Sequence, residues 1–89
     1  MLKEMKEQII GAFEKAMKSG EIKAEQVRDI VQTAVSDTAR KVKEEGITLR
    51  EIAKEATATV VDELKKKEIA TRERVTAAVE GAIDGIKST

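Results

Sequence analysis

The chain has 89 residues, with 17 basic and 17 acidic side chains and no histidine, cysteine, tyrosine, tryptophan or proline. That length allows one small domain, and a net charge of zero provides no field to gather the protein onto nucleic acid or an anionic membrane. Without histidine or cysteine the chain cannot by itself build a Ser-His-Asp triad, a thiolate nucleophile or a His- or Cys-ligated zinc site.

The opening stretch Met1-Leu2-Lys3-Glu4-Met5 has no uninterrupted apolar run, so no secretory signal is expected. No apolar run along the chain is long enough to span a bilayer. These features, with the missing cysteine, lead to the expectation of a cytoplasmic protein. Apolar residues make up 40% of the chain, but twelve are alanine. Nine Ile, eight Val, three Leu and three Met, with Phe13, must supply the core. That is lean for a free-standing domain, and association would help it.

The Glu-, Lys- and Ala-rich, proline-free composition is helical, and four helices are predicted in turn. The first, at 2–18, carries Met5, Ile9, Ala12 and Phe13 on one stripe and stops at Ser19-Gly20. The second, at 24–45, repeats the spacing with Val27, Val31, Ala34 and Val35 and stops at Gly46. The third, at 49–66, does so with Ile52, Ala56, Thr59 and Val60, and closes on Lys65-Lys66-Lys67, where cations complement the helix dipole. The fourth, at 72–87, follows a Thr71 cap with Val75, Val79, Ala82, Ile83 and Ile86. Apolar residues at this recurrence mark amphipathic helices that turn the stripe inward.

The stretch Gly46–Ile52 is the best-marked boundary. Gly46 can take the left-handed conformation that ends a helix. Thr48 and Glu51 have the spacing of a reciprocal cap, and Ile47 and Ile52 that of a hydrophobic staple. On either side the chain resembles itself. Leu2, Glu4, Lys18, Glu21 and Ile22 recur as Leu49, Glu51, Lys65, Glu68 and Ile69. After one inserted residue, Glu25, Val27, Val31 and Ala34 recur as Glu73, Val75, Val79 and Ala82. The expected architecture is all-α: a single domain over 1–89 made of two similar antiparallel helical hairpins, 1–45 and 47–89. They would close as an up-down four-helix bundle or exchange between chains as a swapped dimer, with Gly46, Thr48 and Glu51 as hinge and cap.

Sites for chemistry are sparse. The five glycines match no nucleotide fingerprint, and no catalytic residue, metal site or cofactor is expected. Glu63 falls on the inward stripe of the third helix, where a buried carboxylate would have a raised pKa. The plainer expectation is that it bends out to solvent near the helix end. The segment 65–74 holds five cations but is broken by Glu68 and Glu73 and lacks aromatics to stack on bases, so it reads as a solvated turn. In the fourth helix Ala77, Gly81 and Gly85 form a row of small residues opposite the apolar stripe. The plainer reading is a fraying terminal helix with harmless glycines; the sharper one is a face on which another helix approaches closely.

The function expected from these features is that of a non-catalytic structural or protein-interaction module, partnered by itself or by another protein and not by nucleic acid. The alternative is an amphipathic-helix binder of lipid or another apolar surface.

Overall fold

The computed structural model describes residues 2–42 and 46–88, and among them there are four α-helices and no strand. They are α1 Leu2–Lys18, α2 Ala24–Lys41, α3 Leu49–Lys66 and α4 Arg72–Lys87, packed as a helical bundle. No helix among the described residues is long and apolar enough to cross a membrane.

Local chemistry explains most helix ends. Ser19 and Gly20 donate their N–H groups to the Ala16 and Met17 carbonyls at 3.3 Å each, and Gly20 leaves the helix at a φ of 128°. At the start of α2 the Lys23 N–H donates to Gln26 Oε1 at 2.8 Å, half of the reciprocal cap. The helix ends at Lys41, with Val42 N–H bonded to the Thr38 carbonyl. It therefore stops short of the expected 45. Residues 43–45 lie outside the described set, and Gly46, at φ 73°, belongs to the connection and not to the cap of α2. Thr48 caps α3 by accepting the Glu51 N–H at 3.1 Å, while the Glu51 side chain lies in solvent and makes no return bond.

The end of α3 is a Schellman motif. Ile69 N–H reaches back to the Leu64 carbonyl at 2.9 Å, and Glu68 occupies the left-handed position at φ 57°. Glycine is usual there, and a side chain at that conformation costs about 1 kcal/mol. Thr71 then caps α4 by accepting the Arg74 N–H at 3.2 Å.

The helices alternate in direction. Gln8 of α1 donates to Asp37 of α2 at 3.2 Å across an antiparallel pair. Between α2 and α4 the contacts advance together along both chains: Arg74 with Ile22, Gly81 with Val31, Gly85 with Val35, Ser88 with Ser36. These two helices are thus parallel and are the most closely packed pair. α1 packs on α2 and α3, α3 touches all the others, and α1 and α4 do not meet. The hairpins lie side by side, with both hairpin turns at one end. The stripes of α1, α2 and α3 face inward as expected, with Met5, Ile9, Phe13, Val27, Val31, Ile52 and Val60 all buried.

Arg74 ties the two turns together. It belongs to the segment expected to be a solvated turn, yet it is 9% exposed. Its Nε and Nη2 donate to the Ile22 carbonyl at 3.0 and 2.8 Å, its Nη1 to the Ile69 carbonyl at 3.0 Å, and its Nη2 to Glu21 Oε1 at 2.9 Å. A planar guanidinium can serve both turns at once because its donors diverge in a fixed fork. Glu63 is also buried, contrary to expectation: its carboxylate stays at the bundle's edge between Lys66 at 3.9 Å and Lys67 at 3.7 Å. The two ammonium groups partner the carboxylate on the inward stripe.

Replacing Arg74 with Met should cost about 2 kcal/mol, or roughly 10 °C in Tm, because two turn carbonyls lose their donors. Arg74→Lys should recover less than half of that. Glu21, whose side chain is 82% exposed, should matter little: Glu21→Gln is expected to cost less than about 0.5 kcal/mol. Equal losses for Glu21→Gln and Arg74→Met in thermal melts would mean that the ion pair, not the carbonyl bonds, holds the turns.

Candidate interaction surface

The surface begins with two glycines. Ala77, Gly81 and Gly85 are buried and lie against α2. The row sits opposite the large residues of α4, as the sequence places it, but it faces the neighbouring helix of the same chain and not solvent. A Cβ built on Gly81 would stand 2.4 Å from the Arg28 carbonyl oxygen, and one on Gly85 would stand 2.8 Å from Val35 Cβ. Only hydrogen fits at either position. Backbone therefore packs against backbone and against Val31 and Val35, which are fully buried beneath it. Gly11, by contrast, has nothing within 4 Å of its would-be Cβ.

This contact sets the rotation of α4. Its buried residues are Arg74, Ala77, Ala78, Gly81, Ala82 and Gly85, a face turned by about 110° from the apolar stripe at 100° per residue. The expectation that Val79 and Ile83 point inward is overturned: they are 43% and 46% exposed. The physical reason is that large aliphatic side chains would hold α4 away from α2, whereas the glycine row permits the tight backbone contact.

With α4 so rotated, its outer apolar residues meet those of α3. An open groove runs between the two helices, walled by Ala53, Thr57, Ala58 and Val61 from α3 and by Val79, Ala82 and Ile83 from α4. Lys54 and Asp62 stand on its rim. Neither forms an ion pair within the described residues, in contrast to Lys6 with Glu55 at 3.1 Å and Arg28 with Asp84. The second of these closes the other side of α4. Asp84 accepts from Arg28 Nε at 2.9 Å and from Nη2, and this hydrogen bond, with the charge of Asp84, raises the Arg28 pKa above its ordinary value. The guanidinium is charged at every pH below that value, so the pair needs no particular pH on its side.

The sequence-predicted residues thus fall in two places. Ala77, Gly81 and Gly85 form the α2/α4 contact, while Gly46, Thr48 and Glu51 lie in the connection and first turn of α3, separate from the groove. The groove itself was not anticipated. Its signal was present in the glycine row, which marks the closest contact of a helix more directly than its largest residues do.

Every buried side-chain nitrogen and oxygen among the described residues has a partner, so the groove holds no unsatisfied polar group aimed at a ligand. Comparison with protein families, with characterised proteins and with solved structures gives no match.

Gly81→Ala should destabilise the protein by about 1–3 kcal/mol through overpacking against a backbone carbonyl, although alanine is the better helix former. Gly11→Ala, with open space around it, should stabilise by about 0.5–1 kcal/mol. Urea denaturation of the two variants checks both; equal and positive changes would remove the close contact as the cause of the α4 rotation.

Proposed function

We propose that the chain is a non-catalytic helical module that self-associates through the α3/α4 groove. The observation that carries this reading is the pairing of Val79 and Ile83, one helical turn apart, both more than two-fifths exposed, at the edge of a groove whose walls are apolar. Scattered apolar residues on a surface need no explanation, but a contiguous patch does. Covering it would add burial worth about 25 cal/mol per Å² of apolar surface to a domain with few large core residues. The hairpins, which we read as an internal duplication, supply a rigid frame for the groove.

The balanced charge of the chain favours a protein surface as the partner over a polyanion. It also weighs against a lipid surface, since the rim carries Asp62 as well as Lys54 and the chain has no Trp or Tyr to anchor at an interface. The absence of cysteine supports a reducing, cytoplasmic setting.

Light scattering after gel filtration, over a series of concentrations, should show the mass rising from monomer towards dimer. The double variant Val79→Ser, Ile83→Ser should remain monomeric. Its folding stability should change by less than about 1 kcal/mol, because neither side chain lies in the core. A wild-type mass that stays monomeric, or a double variant that still dimerises, would overturn the proposal. Binding to phosphatidylcholine vesicles, lost in the same variant, would transfer the groove to the lipid reading.

A further inference from the structure

We infer that the occupant of the groove is α3 of a second copy, lying antiparallel to α3 with the two Ala58 residues facing each other across a two-fold axis. This deepens the proposed self-association and rests on it. Lys54, Ala58 and Asp62 are spaced four residues apart, so they share one row on the outer face of α3. Ala58 is exposed, as are the two charges, and neither Lys54 nor Asp62 is paired within the chain. The row is therefore cation, small residue, anion.

Such a row is complementary to itself in one direction only. Laid antiparallel through Ala58, each Lys54 comes level with Asp62 of the second copy, and the axis generates the pair twice. Laid parallel, lysine meets lysine and aspartate meets aspartate. Alanine at the centre lets the helices approach to the short end of the usual 8–10 Å between axes. A helix seated there lies over the half-buried Val61 and against Val79 and Ile83, two of the three large apolar residues left exposed among the described residues.

The same surfaces oppose a head-to-tail arrangement. Val79 and Ile83 are the repeat counterparts of Val31 and Val35, which α4 covers with Gly81 and Gly85. To repeat that contact, a second copy would have to offer a row of small residues from its free side. The positions of α2 that correspond to Gly81 and Gly85 are Thr33 and Asp37, whose side chains block the approach. A two-fold pairing of like faces is what remains for a second copy.

The chain has no cysteine, so single substitutions report the geometry directly. With Cα atoms about 2.3 Å from each helix axis and axes roughly 8–10 Å apart, facing Ala58 Cα atoms fall roughly 3.4–5.4 Å apart, a span that overlaps disulfide range. Ala58→Cys should form a disulfide-linked dimer in air-saturated buffer at least about ten times faster than Thr33→Cys, an exposed position on the far helix. Sedimentation equilibrium at low salt should show Lys54→Glu and Asp62→Lys each weakening the dimer by roughly ten-fold. The double reversal should return to within about three-fold of wild type, and added salt should erase the differences. If the wild type dimerises while Ala58→Cys cross-links no faster than Thr33→Cys, or the double reversal is no tighter than either single variant, this register is wrong and the self-association stands. If the wild type is monomeric throughout, both fall together.

Discussion

The contact of Gly81 and Gly85 with α2 decides how the rest of the molecule is arranged. Helix packing trades the reach of side chains against the closeness of backbones. Here the choice is closeness, since a single added carbon would overlap the Arg28 carbonyl or the Val35 side chain. The cost of glycine within a helix, about 1 kcal/mol each, is offset by the burial of Val31 and Val35 under α4 and by the dense contact of the two helices. Once α4 is turned to present its glycines, Arg74 falls on the inner side and Val79 and Ile83 on the outer. One constraint thus accounts for both the buried cation and the exposed aliphatic pair.

Arg74 complements that contact at the turn end of the bundle. A glycine row fixes rotation and distance but leaves a helix free to slide, because small residues offer few steric stops. The guanidinium supplies the stop: held locally by the Ile69 carbonyl, it reaches the Ile22 carbonyl of the other turn, and a shift of α4 by one turn along α2 would break the bonds to Ile22. At the opposite end Ser88 Oγ lies 3.3 Å from Ser36 Oγ and 3.1 Å from the Gly85 carbonyl. The parallel pair is thus held at its two ends by polar groups and along its length by apolar contact. The two Glu-Ile pairs at the turns, alike in sequence, differ in use. Glu21 pairs with Arg74, whereas Glu68 takes the left-handed position that closes α3. Similar hairpin sequences have thereby acquired asymmetric turns.

Much of this was legible in the sequence, and the parts that were not share a cause. The spans of α1, α3 and α4 follow from caps and periodicity, which are local, and the inward stripes of α1, α2 and α3 follow from the size of their residues. The rotation of α4 does not, because periodicity identifies the largest residues and the packing selected the smallest. Arg74 and Glu63 depart from the sequence expectation for a related reason. A charge near a helix end looks solvated until the neighbouring element supplies carbonyls or ammonium groups to partner it, and those neighbours are fixed by tertiary contact. The end of α2 differs from the expectation because helix propensity continues past Lys41, where the helix ends. The groove inherits the α4 error: with Val79 and Ile83 assigned to the core, there was no surface to find.

The two outer faces of the stacked hairpins differ in a way that bears on assembly. On α2 the side away from α4 carries Asp29, Thr33 and Asp37, and Asp37 is engaged by Gln8 and Arg40. That face is polar, as a terminal face should be. On α4 the corresponding free side is Val79 and Ile83, which is the character of an interior face. For a second copy of the chain, the open side of the first is the face left to meet. In the two-fold dimer proposed above, both open faces would be covered and polar ones left outward, so that assembly would stop at two. A partner of another kind would have to bring its own cation and carboxylate to meet the unpaired Asp62 and Lys54. A second copy laid antiparallel supplies that pattern from its own sequence, which is why the rim charges favour it.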